Sequence, residues 1–214
     1  MYTNDNKTPS ATLDGVVDAF GSLPGVGRKT ALRLALHLLH QPKDKILAFG
    51  QAVSGLVTDI RFCRQCGSPC NGAFCEVCTD RRRDERTICV VEDIRDRMTI
   101  ENTGTFRGVY HLLGGLVSPM DGIGPDELRI AQLLQRVDTL QKASLEPIEV
   151  ILALSGGVEG DTTALYIYRK LEPYGVKVTT LARGIAFDSD LEYADPLTLG
   201  RSILSRTPYN PNNK

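Results

Sequence analysis

The sequence predicts an α/β chain built of several modules: a helical N-terminal segment, a small four-cysteine module, and a C-terminal domain with a mainly parallel sheet. Three observations predict it. Apolar residues recur at helical spacing through residues 13–57, interrupted by a Pro-Gly-x-Gly turn. Two Cys-x-x-Cys pairs follow, with eight residues between them. From Thr87 onward, short β-branched runs alternate with helical patterns, as parallel βαβ units require.

The chain has 214 residues and a hydrophobic fraction of 42%, enough for one or two domains with ordinary cores. No run approaches the length needed to cross a bilayer. Residues 1–10 are polar and aperiodic, so a disordered N-terminus is expected. They also lack the apolar stretch of a secretory signal, which points to a reducing, cytoplasmic setting. The net charge of −1 excludes a uniformly basic nucleic-acid binder. The charge is uneven, however. Residues 1–86 carry 12 Lys+Arg against 9 Asp+Glu, and residues 87–214 carry 13 against 17. This suits a nucleic-acid face in the first part and an acidic site in the second. The run Arg81-Arg82-Arg83 reads equally well as a solvated linker.

In the N-terminal segment, residues 11–60, Leu13, Val16, Val17 and Phe20 form a first helical stripe. The turn Leu23-Pro24-Gly25-Val26-Gly27 leads into a second, through Ala31, Leu32, Leu34, Ala35, Leu38 and Leu39. Such a turn aims a helix N-terminus outward, where free N–H groups and the helix dipole favour a phosphate. Gly25 and Gly27 let it approach, Arg28 and Lys29 add charge at the turn, and Arg33 follows Lys29 one turn along the same face. The pattern resembles the helix-hairpin-helix DNA-binding motif; an ordinary αα-turn is the alternative. A further helix is expected over residues 42–60, with Ile46, Phe49, Val53, Leu56 and Val57 facing inward.

Cys63, Cys66, Cys75 and Cys78, within residues 61–80, have the spacing of a closed tetrathiolate zinc site, structural because no position is left for water. A pair of disulfides or a redox Cys-x-x-Cys is the alternative. Such a module would be held by metal rather than by a core. Cys89 falls in an apolar run and reads as core, and Cys70 breaks the symmetry of the quartet.

In the α/β segment, strands are expected at residues 88–91, 108–113, 148–154 and 176–181, and helices after Glu92, over 126–142 and over 163–171. Parallel sheets carry functional loops at strand carboxyl ends. Two of those ends are acidic: Glu92-Asp93, and Ser155-Gly156-Gly157-Val158-Glu159-Gly160-Asp161. Grouped carboxylates would bind Mg²⁺, and this arrangement resembles the toprim domain of topoisomerases and primases, with Glu92, Glu159 and Asp161 at the acidic positions. Asp161 serves as well as a helix cap.

The order of these parts resembles the RecR family of bacterial recombination mediators, and the match runs through nearly the whole chain. It rests on Leu23-Pro-Gly-Val-Gly-Arg-Lys29, the cysteine quartet, the run from Gly108 to Pro125, Glu159-Gly-Asp-Thr-Thr-Ala-Leu-Tyr166, Leu181-Ala-Arg-Gly184 and Leu191-Glu-Tyr-Ala-Asp195. The chain departs from the family pattern in residues 184–190, where a proline and a glycine are missing, so Asp188 and Asp190 are given no metal role. The resemblance implies a helix-hairpin-helix segment, a zinc finger and a toprim-like domain over residues 87–183. It implies a homo-oligomer, dimer or tetramer, forming a ring-like clamp. That clamp would act without catalysis on single-stranded, gapped or double-stranded DNA, together with RecO and in some settings RecF. The acidic positions would then serve as a partner-docking surface. The alternative is a Mg²⁺-dependent toprim enzyme acting on DNA phosphodiesters. Residues 184–214 hold an apolar stretch, 197–204, that suits inter-subunit packing or a core helix, and a loose polar tail.

Overall fold

The computed structural model describes residues 8–182, 184–185, 190–206 and 208, in two compact units divided between Ile60 and Arg61. The expectations for residues 1–7, for Asp188 and for the tail from Tyr209 lie outside the described residues.

The described residues of the first unit form three helices: α1 (Ala11–Gly21), α2 (Arg28–Leu39) and α3 (Lys43–Thr58). Ser10 opens α1 by accepting the Leu13 N–H at 3.5 Å, an ordinary side-chain cap. Val17, Ala31 and Ala35 form a small core, flanked by Leu13, Phe20 and Val26. The two alanines let α1 and α2 approach closely, since neither carries bulk beyond Cβ. Phe20 also meets Phe49 of α3, ring centres 6.3 Å apart. The inward face expected for α3 is corrected here. Phe49, Val53, Leu56 and Val57 are all exposed, and Val57 is 83% exposed. Helical periodicity marks an apolar face, not what covers it.

The second unit begins with a two-stranded ribbon, β1 (Arg61–Phe62) antiparallel to β2 (Pro69–Cys70), and a single turn of helix, α4 (Glu76–Thr79). A four-stranded, all-parallel sheet follows: β3 (Asp84–Val91), β4 (Gly108–Leu112), β5 (Glu149–Ala153) and β6 (Lys177–Thr180). Its order is β4-β3-β5-β6. The crossovers are α5 (Ile94–Asn102), α6 (Ile130–Ala143) and α7 (Val158–Leu171), with α8 (Pro196–Leu204) beyond the last strand. Central β3 ends in four fully buried residues and β4 is buried throughout, as strands covered on both faces must be. Cys89 is buried there as expected.

Two helix starts differ from expectation. α6 begins at Ile130, because Pro125–Glu127 form a separate 3-10 turn and Leu128 is extended. α7 begins at Val158, earlier than residue 163, because its N-cap is Gly157, which has no side chain to announce the start. Glu159 and Asp161 therefore lie within the first turn of a helix rather than in a loop before one.

Candidate metal centre and nucleic-acid interface

The cysteine pairs sit on two different local frames. Cys63 and Cys66 flank a tight knuckle in which Gly67 N donates to Cys63 O at 2.9 Å and Cys63 N to Ser68 O at 2.7 Å. Cys75 starts α4 and Cys78 lies within it, so the second pair is fixed by helical spacing. The four Sγ atoms lie within 4.8 Å of one another, with Cys66 and Cys75 at 3.5 Å. A tetrahedral ion with metal–sulfur bonds near 2.3 Å needs sulfur–sulfur edges of about 3.8 Å, so the donor set fits a thiolate-bound metal. Among the described residues no second group of three or more His, Cys, Asp or Glu converges in this way. Cys70 stands apart, its thiol donating to Gly72 O at 3.1 Å.

Electrostatics within the quartet follow from crowding. The hydrogen bond shared with Cys75 pushes the Cys66 thiol up to about 11, while the same bond holds Cys75 far below the usual thiol range. The Cys66 and Cys75 thiols drive Cys78 strongly upward. Four thiols cannot all ionise side by side, so a metal that binds here displaces protons.

The module does not stand free of a core, as the spacing had suggested. Cys63, Cys66, Cys75 and Val77 belong to the same buried cluster as β3, β4 and α6. Leu112 N at the end of β4 donates to Cys66 O at 2.8 Å. Among the described residues no strand pairs with β4 on its outer side, and the cysteine knuckle is stitched to the sheet domain there.

The sequence did not single out the side chains around the knuckle. Arg136 of α6 is 8% exposed and donates Nη1 to Tyr110 O at 2.8 Å. Burial pushes its guanidinium below the ordinary range, against the charges of Cys78, Cys66, Glu85 and Cys63. Arg129 lies against Gly67, where an added Cβ would stand 2.6 Å from Nε. His111 shares a hydrogen bond with Arg129 O at 2.8 Å, and burial pushes its imidazole down to about 4. A charged residue beside the apolar stripe Ile130, Leu133, Val137 was the available signal for Arg136.

At the α1–α2 turn, Gly25 adopts φ 77°, a left-handed geometry open to glycine without strain. Gly27 caps α2 in extended conformation with no side-chain hydrogen bond. Arg28 is engaged by Asp18 at 3.1 Å and Asp14 at 3.7 Å. Lys29 and Arg33 are exposed and make no ion pair among the described residues.

At the sheet, Glu92 follows β3, and Ser155 to Glu159 follow β5. These strands are neighbours, and the strand order reverses between them, so the loops share the crevice of a topological switch point. Burial raises the Glu92 pKa, and the Asp96, Asp93 and Glu159 charges add to it. Asp93 caps α5, accepting the Arg95 N–H at 2.7 Å. Glu159 and Asp161, two residues apart on a helix, point in different directions. Glu92 and Glu159 are thus brought near each other, and Asp161 is turned away from Glu159.

The chain matches three family descriptions: RecR, helix-hairpin-helix, over residues 13–56; Toprim domain, over 86–182; and RecR, C-terminal, over 184–207. It is 52% identical over 208 residues to the recombination protein RecR of Porphyromonas gingivalis, covering 97% of this chain and 98% of that one. The chain belongs to the RecR family. The RecR proteins of Parabacteroides distasonis, 50% identical over 96% of this chain and 97% of theirs, and of Flavobacterium johnsoniae, 46% identical over 94% and 95%, agree with this. The family's helix-hairpin-helix match covers the α1–α2 turn, and its toprim match covers the four parallel strands apart from the first residues of β3.

Proposed function

We propose that the chain is a non-enzymatic mediator of DNA recombination and repair that grips DNA as a ring-like homo-oligomer. The single observation that carries the proposal is near-full-length identity of about half to proteins named for recombination. A role in recombination and repair follows from that membership. The helix-hairpin-helix turn is the proposed DNA contact, through Gly25, Gly27, Lys29 and Arg33, with Arg28 shared between DNA and α1. Its contacts go to phosphates and carry no base sequence.

Two cations neutralise few phosphates, so one subunit binds weakly; several copies on one DNA raise the affinity through effective concentration. The exposed apolar face of α3 and the exposed Leu197, Ile203 and Leu204 of α8 are surfaces on which a dimer or tetramer would pack. The four cysteines hold a structural zinc ion. Glu92 and Glu159 mark a docking crevice for RecO, and in some settings RecF, at single-strand gaps. The working site would be the nucleoid; no helix among the described residues is long and apolar enough to cross a membrane.

Incubation with labelled gapped duplex and Mg²⁺, resolved on native and denaturing gels, tests the proposal. Shifted, uncut DNA whose shift fades with salt is expected. Cleavage abolished by Glu92→Gln would replace it with a Mg²⁺-dependent toprim enzyme.

A further inference from the structure

Among the described residues, five buried polar atoms lack a hydrogen-bond partner: Ser68 Oγ, His111 Nδ1, Arg129 Nε, Arg136 Nε and Arg136 Nη2. All surround one place. Ser68 is two residues beyond Cys66. Arg129 lies against Gly67, next to Cys66. Arg136 holds Tyr110 O, His111 holds Arg129 O, and Leu112, next along β4, holds Cys66 O. Unpaired buried donors are costly, and those on a guanidinium more so. Arg97, another buried cation beside the quartet, already has a partner in Glu76 at 3.4 Å.

Four thiolates around a divalent ion leave a dianion, which needs compensation of its own when buried. Arg129 caps the N-terminus of α6, and Arg136 lies within that helix, seven residues on. We infer that Arg129 and Arg136 are positioning residues for the metal centre: their paired guanidinium charges offset the metal–tetrathiolate dianion and hold the ion in place from the sheet domain. This rests on the metal reading of the cysteine quartet. It makes α6 part of the metal site, although α6 supplies no ligand.

The test uses the full chain, purified with its metal and again with Co²⁺ in its place. Metal content of the unaltered chain comes first; no metal, with all six thiols free, would sink the metal reading itself. Release to a chromogenic chelator is then timed for R129Q, R136Q, R136K and, as a control on an exposed part of α6, K142Q. Release roughly tenfold faster is expected for each Gln variant, in the range seen when outer-shell partners are removed. R136K recovers most of the loss and K142Q matches the unaltered chain. The sulfur-to-cobalt charge-transfer band moves to lower energy in the Gln variants, because a departing cation no longer stabilises the sulfur electrons. A role confined to packing would not move that band. Folded R136Q with unaltered release and an unaltered band overturns the inference. If R136Q does not fold, R129Q decides, since Arg129 is only partly buried: release within twofold of the unaltered chain overturns it.

Discussion

Tyr110 donates its hydroxyl proton to Glu101 Oε2 at 2.8 Å, tying the buried strand β4 to the last turn of α5. The same carboxylate takes Arg83 Nη1 at 3.1 Å, and Arg83 is itself only 13% exposed. Burial alone would raise the Glu101 pKa, but the Arg83 and Tyr110 hydrogen bonds outweigh it and the carboxyl is held below its ordinary value. A depressed folded-state pKa stabilises fully above the ordinary carboxylate pKa and is lost as pH falls through the depressed value. Replacing Glu101 by Gln should therefore destabilise the chain by about 1–2 kcal/mol at neutral pH. The difference from the unaltered chain should shrink as pH falls below the ordinary carboxylate range. Urea titrations between neutral pH and pH 3 check this, and a difference that stays constant across that range would refute it.

Gly160 is the middle residue of Glu159-Gly160-Asp161, and a Cβ there would stand 2.1 Å from Ser155 O. The first turn of α7 can seat against the end of β5 only if that position has no side chain. Gly160→Ala must push the backbone of the Ser155 loop away, at a cost of about 1–3 kcal/mol. It also displaces Thr163, whose hydroxyl accepts the Val117 N–H at 2.9 Å and donates to Glu159 O at 2.7 Å. The expected outcome is a lower unfolding midpoint for the sheet domain, while Gly156→Ala, with open space around its Cβ position, costs far less. Equal midpoints for the two variants would contradict the argument.

Much of this was legible in the sequence, for specific reasons. The runs at Ile88 and Ile148 are apolar because β3 and β5 are central strands, and that pattern survives without any tertiary context. The cysteine quartet was legible because four ligands at fixed spacing have few other uses. The start of α7 was not, since glycine caps it and an acid beyond it mimicked a cap. The burial of the cysteine module was not either. Its strands are two residues long, too short for alternation to register, and the contact of Cys66 with β4 spans more than forty residues of chain. Arg129 and Arg136 did not stand out, although Arg136 sits beside the apolar stripe, because an Arg on or next to an amphipathic helix usually belongs to the solvated face.

The joining of the quartet to the sheet core changes what metal removal should do. A free-standing finger would lose residues 61–80 alone. Here Cys63, Cys66 and Cys75 are packed in one cluster with Ile88, Leu112 and Leu133. Chelation should therefore lower the unfolding temperature of the whole second unit, and hydrogen exchange should rise in β4 as well as in the knuckle. Isolated fingers draw roughly 10–16 kcal/mol from zinc. A unit with its own core should lose only part of that, but enough to be read as a shift of several degrees. Exchange confined to residues 61–80 would restore the free-standing picture.

The α1–α2 turn separates residues that the sequence grouped together. Arg28 is spoken for by Asp18 and Asp14, whereas Lys29 and Arg33 stand exposed on one face of α2. A phosphate would compete with two carboxylates for Arg28 but with none among the described residues for the other two. Lys29→Ala and Arg33→Ala should each weaken binding to gapped duplex at physiological salt. Each should also reduce the slope of log K against log salt by about one for every subunit engaged. Arg28→Ala should change the slope less, and its loss of an exposed ion pair should cost no more than about 1 kcal/mol in stability. Because phosphate contacts read no bases, the losses should be the same on unrelated sequences. A slope unchanged by Lys29→Ala with Arg33→Ala would move the DNA contact away from this turn.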